Sequence, residues 1–442
     1  MNSMPGELPV ERQITFLPKN HVLDNNDNFS PDQRFLCYDT RDTYGPEIDR
    51  CRTIEKVEIE TGHETVLYAP PFSTSNEAAP GVGAASFSPV EDKVIFIHGP
   101  LLEDLPRRGP YGKPNRNGAE VSGDGSGKMA WVDLRDIDAT RDTIPGAQRG
   151  GTHRHEYSLN GKRIGCTYDD ALIRDYDRTI AYCEKNAKAP EGASYYFANL
   201  IAVAPKGKSK PGQIERAWDD SWIGKEGLMR AFIGKVRSAD GENYEQSLFV
   251  IDVPADVDIA TADSGSAKRF PSPPKGVSIR RLTHRFASGI VRGTISGDRI
   301  AYYAHDDAGN LQLFVIPSNG SDDNSDPNLR PVQLTHLPFC ADAGLRWHPS
   351  GDAVICTSND GIVLTRAKPG ENFGRSIFLT KQGDGGLRQQ LVISPDGKRV
   401  AYTRPMPTTN KDGERTRAYN GSDFKQIFIL DLPNLDSIDW KK

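Results

Sequence analysis

"ISPDGKRVAYTRP" (393–405) reads as a strand end, a Ser-Pro-Asp-Gly turn and a second short strand. Ser and Asp side chains in such turns hold nearby backbone N–H groups, and Gly supplies the positive φ that closes them. The pattern returns at "FSPDQRFLCYD" (29–39), "FSPVEDKVIFIHG" (87–99), "YSLNGKRIGCTYD" (157–169), "ISGDRIAYYAHD" (295–306) and "WHPSGDAVICTSND" (347–360). Third strands are read at "RTIEKVEIE" (52–60), "KMAWVDLRD" (128–136), "QSLFVIDVP" (246–254), "LQLFVIPS" (311–318) and "KQIFILDLP" (425–433). Fourth strands are marked by "RRLTH" (280–284), "VQLTH" (332–336) and "IFLTK" (377–381). Four short strands per unit, repeating at roughly 45–75 residues, mean propeller blades. Six blades are clear, and a diverged seventh is placed at 219–284.

The expectation is an all-β, seven-bladed β-propeller with TolB/WD40-like blades, occupying residues 11–442, with 1–10 as an N-terminal tail. "RQITF" (12–16) reads as an orphan fourth strand. It should pair with the C-terminal "FKQIFILDLP" and so remove the open edges of the ring. "DALIRDYDRTIAYCEKN" (170–186) is the one fair helix candidate, and 100–127 and 207–226 read as long excursions of the kind that carry function.

A formal net charge of −5 over 442 residues argues against a nucleic-acid surface. No run approaches the ~18 apolar residues of a membrane span, and the mean hydropathy is −0.57. The N-terminus lacks the apolar core of a secretion signal, so the cytoplasm is expected, or the periplasm if a signal has been removed. The six cysteines show no CxxC or zinc spacing; Cys37, Cys166 and Cys356 sit in apolar runs and read as buried thiols.

In a propeller the first strand of each blade lines the central channel, and the Ser-Pro-Asp-Gly turns lie on one face. His21, His153, His155, His284 and His336 fall in or near fourth-to-first connections, and His98 and His305 end second strands, all on the other face. Arg149, Arg154, Arg292, Arg388 and Arg404 occupy similar strand ends. Imidazole and guanidinium together suit a carboxylate, since Arg grips it in a fork while His moves protons near neutral pH. Anionic sugars such as uronates fit that description. The structural alternative is that inner-strand histidines only bond channel water or neighbouring backbone. On a regular strand His153 and His155 would point the same way, but two imidazoles do not make a metal site without further ligands.

The segments "ITFLPKNHVL" (14–23), "FIHGP" (96–100), "RGGTHRHEYSLNGKRIGCTYDD" (149–170), "PPKGVSIRRLT" (273–283) and "WHPSG" (347–351) resemble the YidR-like family of bacterial propellers over nearly the whole chain. "HEYSLNGKRIG" (155–165) more distantly resembles a segment of the oligogalacturonate lyases, seven-bladed propellers that use a Mn²⁺-type ion. That resemblance puts His155 in the place of a metal ligand for a divalent cation (Mn²⁺ or Ca²⁺), and His153 beside it is read both as a second ligand and as a catalytic residue. It also makes His98 a proton-abstracting base. Arg149 or Arg292 would clamp the uronate carboxylate, while His21, Arg154, His284, His305, Arg388 and Arg404 would bind substrate. "DAGLRWHPSG" (342–351) departs from the lyases by lacking their His-x-His pair. The function so implied is β-elimination on an acidic oligosaccharide. The alternatives are a binding or scaffold propeller and a hydrolase using the same groups. Oligomeric state is left open by the sequence.

Overall fold

A computed structural model describes residues 2–3, 8–23, 27–41, 51–71 and 81–440. Its sheets form a seven-bladed β-propeller, each blade a small antiparallel sheet whose strands run in sequence order from the channel outward, apart from two N-terminal strands added at the outer edges of the last two blades. The third blade is typical, with strands Gly150–Tyr157, Arg163–Asp170, Thr179–Glu184 and Tyr196–Asn199. The diverged blade begins at Ile214, earlier than the sequence suggests, and ends at Arg281. Ring closure is as expected: Arg12 and Gln13 pair antiparallel with Ile429 and Phe428 of the last blade. At the outer edge of the sixth blade, Asn2 and Ser3 pair in parallel with Ile377 and Phe378.

The turns carry the chemistry read from the sequence. Ser394 Oγ donates to Asp396 Oδ1 at 2.6 Å and accepts from the Arg399 N–H at 3.0 Å, while Gly397 takes φ +73°. Ser158 and Asn160 repeat this, at 2.7 Å and 3.0 Å for the corresponding bonds. Because both faces of each blade are covered by a neighbour, the strands are apolar on both sides, as buried sheets are. The core is a ring of inter-blade layers. One joins Val392, Ala401 and Ile427 of the last blade to Leu36, Tyr38 and Val57 of the first, which makes the seam as well packed as the rest.

Three local expectations are corrected. The 170–186 segment is not helical: 179–184 is the third strand of its blade, fully sandwiched, and the only described α-helix is Leu105–Arg108. The excursion at 100–127 contains a third strand, Asn117–Ser122, so Met129–Trp131 is the fourth strand of that blade and not its third. Likewise 214–223, read as loop, is an innermost strand. No described helix is long and apolar enough to cross a membrane.

Candidate functional site at the channel mouth

The innermost strands share a distortion that shapes the channel. Ala84, Arg154, Asp219, Gly289, Gly344 and Gln390 all have positive φ, at +59°, +57°, +54°, +72°, +98° and +58°. All but Gly344 coincide with a register shift against the second strand. Each such β-bulge re-aims the side chains around it, and the left-handed region costs a non-glycine residue ~1–2 kcal/mol. In three blades a second-strand threonine accompanies the distortion: Thr167, Thr357 and Thr403 donate to the carbonyls of His153, Ala343 and Gln389, at 3.3, 2.8 and 3.4 Å.

The bulge at Arg154 breaks the alternation that would have put His153 and His155 together. His153 and Arg154 both line a cavity of about 750 Å³ at the mouth, with Arg41, Arg346 and Arg388. Asp219, Asp342 and Asp360 line it too. His155 instead is fully buried, with neither ring nitrogen hydrogen-bonded among the described residues, and it packs on Gly118. A Cβ at 118 would come within 2.7 Å of its Nε2.

The electrostatics of the mouth follow from burial among like charges. Burial first, then Arg116, Arg178 and Arg41, holds His153 well below the usual imidazole value, so it is neutral at pH 7. Burial and the nearby Arg154 lower Arg346 to about 10. Burial raises the Asp219 carboxyl in spite of Arg154, and burial also raises Asp342. Arg388 is tied to Glu11 and Asp384, with Nη2 at 2.5 Å from Glu11 Oε1 and 3.2 Å from Asp384 Oδ2.

The other sequence candidates lie elsewhere. His98 is buried, with Nε2 2.9 Å from the Tyr68 hydroxyl and Nδ1 2.6 Å from the Gly99 carbonyl oxygen. Burial takes it down to about 4. Arg149 is wholly buried and engaged by Asp170 (Nη2 to Oδ2, 2.6 Å) and by the carbonyls of Ser266 and Arg269. His21 is buried between the Lys425 carbonyl and Glu64, at 3.1 and 3.3 Å. His284 is exposed beside Asp322, His305 stacks on Phe286 with ring centroids 4.8 Å apart, and Arg404 contacts Glu11 at 3.2 Å. Arg292 lines a second cavity, on the turn face, and Arg346 borders both.

The mouth gathers, among the described residues, no set of three potential metal ligands within reach of one another. Among the described residues the one group of three potential ligands within reach of one another is His284, Asp322 and Asp323, and neither His153 nor His155 belongs to it. Arg346 was missed by sequence reasoning, although a signal existed. Glu156, Arg292 and Arg346 each stand two residues before the turn residue of their blade, Ser158, Thr294 and His348. Arg41, Asp219 and Asp342 carry no comparable mark.

Residues 81–190 match a family described as "Protein of unknown function (DUF3748)". The chain is 32% identical to the "Uncharacterized protein YidR" of Escherichia coli (strain K12) over 422 residues, 88% of this chain and 94% of that protein. Among solved structures, an oligogalacturonate lyase in complex with manganese is similar over 98% of this chain and 99% of its own, with a TM-score of 0.41 at 11% identity. A Mycobacterium tuberculosis puromycin-hydrolysing peptidase is similar over 90% of this chain, with a TM-score of 0.47 at 12% identity. The chain spans about half, 52%, of that peptidase.

Proposed function

The chain belongs to the YidR family, and we propose that in its propeller the arginine-lined mouth binds an acidic oligosaccharide and cleaves it as a uronate lyase. One observation carries the reading: the bulge at Arg154 turns a neutral histidine and a guanidinium into the same cavity that Arg41, Arg346 and Arg388 line. Guanidinium groups grip a carboxylate through paired, charge-assisted hydrogen bonds. A neutral His153 is free to accept a proton. In this scheme it takes the proton on the carbon beside the uronate carboxylate. The electron pair left behind moves into the carboxylate, where the arginines stabilise the growing charge more strongly than in the ground state. The pair then returns to form a C=C bond as the glycosidic oxygen departs and takes a proton from water. Entry of the anion also offsets the repulsion from Arg116, Arg178 and Arg41, which strengthens His153 as a base when substrate is present.

Binding without turnover is favoured by one observation: the low pKa of His153 makes it a weak base. An acidic uronate trisaccharide separates the two. Arg154→Ala and Arg346→Ala should each weaken its binding about tenfold or more, since a hydrogen bond to a charged group is worth ~1.5–3 kcal/mol. His153→Ala should lower formation of the unsaturated product, followed by its near-ultraviolet absorbance, by ~10²–10⁴-fold. Binding without any product supports the receptor alone. Equal binding of a neutral trisaccharide overturns both readings.

A further inference from the structure

A third cavity, of about 320 Å³, lies where the helix Leu105–Arg108 meets the chain that follows the fourth strand of the second blade. Arg107, Arg108, Arg135, Asp136, Ile137 and Asp138 line it, and it shares no lining residue with the mouth. Neutral acceptors hold two of its guanidiniums in place. Arg108 donates from Nε and Nη2 to the Oδ1 atoms of Asn115 and Asn117, at 3.2 and 3.0 Å. Asn115 is itself locked, since its Nδ2 donates to the carbonyls of Arg108, Gly109 and Pro110. Arg135 donates from Nε to the Gly150 carbonyl at 2.7 Å and from Nη2 to the Pro114 carbonyl at 3.0 Å. Among the described residues no carboxylate lies within ion-pair distance of either guanidinium. The acids of the lining are answered by a residue outside it, with Arg141 2.7 Å from Asp136 and 3.2 Å from Asp138. Asp133 reaches Arg108 only through Asn117, whose Nδ2 donates to its Oδ1 at 2.6 Å. Exposed Arg107 bonds Asp104 at 2.9 Å and completes the basic wall. Burial and the neighbouring Arg108 take Arg135 down to about 10, so it stays charged at neutral pH while its surroundings oppose that charge.

We propose that this crevice binds a phosphate group, free or as a small monoester, between Arg108 and Arg135 with Arg107 closing over it. Guanidinium groups fit phosphate oxygens through paired, charge-assisted hydrogen bonds. Two guanidiniums without a carboxylate call for a doubly charged partner, which a phosphate supplies and a single carboxylate does not. Donors already fixed by the Asn115 and Asn117 amides and by two backbone carbonyls lose little freedom when an anion arrives. A cavity of this size is at the small end of ligand sites, which suits a phosphate on a small body and not a folded partner.

The test uses the full chain with phenyl phosphate as probe, read by calorimetry at pH ~7.5, where a phosphate monoester carries close to two charges. Saturable binding is expected, with benzoate, a singly charged analogue, at least tenfold weaker. Inorganic phosphate binding as tightly as the ester assigns the site to the free ion, and weaker binding assigns it to the ester; both support the proposal. Arg107→Glu, at an exposed position, should leave the fold intact by circular dichroism and weaken the probe at least tenfold, as should Arg108→Gln. Arg346→Ala, which alters the mouth, should leave the affinity for the probe unchanged. The proposal is overturned by no saturable binding, by equal binding of benzoate, by unchanged binding to folded Arg107→Glu, or by loss of binding in Arg346→Ala, which would put the anion at the mouth.

Discussion

Arg388 and Glu11, 377 residues apart, meet as a two-pronged pair, with Nε to Oε2 at 2.8 Å and Nη2 to Oε1 at 2.5 Å. Tyr402 donates to the same carboxylate at 2.6 Å. Glu11 directly precedes the closing strand Arg12–Gln13, so the pair fastens the seam where the first and last parts of the chain join. Burial acts against the charge on Glu11, but Arg388 and Tyr402 outweigh it and hold the carboxyl below its ordinary value. Its contribution is therefore present above the unfolded carboxylate range and fades as pH falls through the folded value. Glu11→Ala should cost about 1.5 kcal/mol at pH 7, the lower end for hydrogen bonds to a charged group, because Glu11 is only partly buried and Arg388 keeps Asp384 as a partner. Urea midpoints for the two proteins should converge in acid; a constant gap would refute the assignment.

Three histidines with depressed pKa values, His98 and His155 buried and His153 part-buried on the cavity wall, make a second pH dependence. Burial, first among causes, takes His98 to about 4 and His155 to about 3, and His153 lies well below its usual value. All three are depressed, so on acidification the unfolded chain takes up protons near pH ~6.5 that the folded chain refuses. Stability should fall from there toward pH 4, by about 1.4 kcal/mol per pH unit for each histidine. His98→Gln, which keeps a partner for Tyr68, should make the slope of stability against pH shallower by one proton. Urea titrations at several pH values measure it directly, and an unchanged slope would show that His98 is protonated in the fold.

Charge at the mouth gives a prediction about salt. Arg41, Arg154, Arg346 and Arg388 border a wide, solvent-connected cavity, so their attraction for an acidic saccharide is screened as ions are added. Affinity for a uronate trisaccharide should drop severalfold between low and physiological ionic strength, while a neutral trisaccharide shows no trend. Salt-independent binding of the acid would contradict a guanidinium site.

What the sequence made legible was local. The turn at Ser394-Gly397 announces itself because its side chains bond its own backbone, and repetition of that turn yields the blades. The strand at 179–184 was hidden because its apolar residues face both neighbours and show no period-two alternation. The convergence of His153 with Arg154 depends on a positive φ at an arginine, which nothing in that residue's chemistry announces. The same bulge leaves His155 out of the cavity that His153 lines, so two histidines one residue apart have different surroundings. Arg41 and Arg346 come to line one cavity only because the ring closes.

His155 and Gly118 provide the sharpest test of that separation. Gly118 has an ordinary backbone conformation, so an alanine there is opposed only by space, with the new methyl carbon 2.7 Å from the ring Nε2. The ring is fully buried and belongs to the innermost strand Gly150–Tyr157, so making room for the methyl means moving a side chain of the packed interior. Gly118→Ala should therefore destabilise by ~1–3 kcal/mol, the usual range for overpacking. His155→Ala alone should also destabilise, by leaving a cavity. The double variant should recover part of both losses, because the added methyl fills some of the space the imidazole vacated, and neighbouring substitutions of this kind are non-additive. Thermal or urea unfolding of the four proteins closes the cycle. Strict additivity would mean that the imidazole does not occupy the space above Gly118, and a ring freed in that way could still turn toward His153 and the mouth.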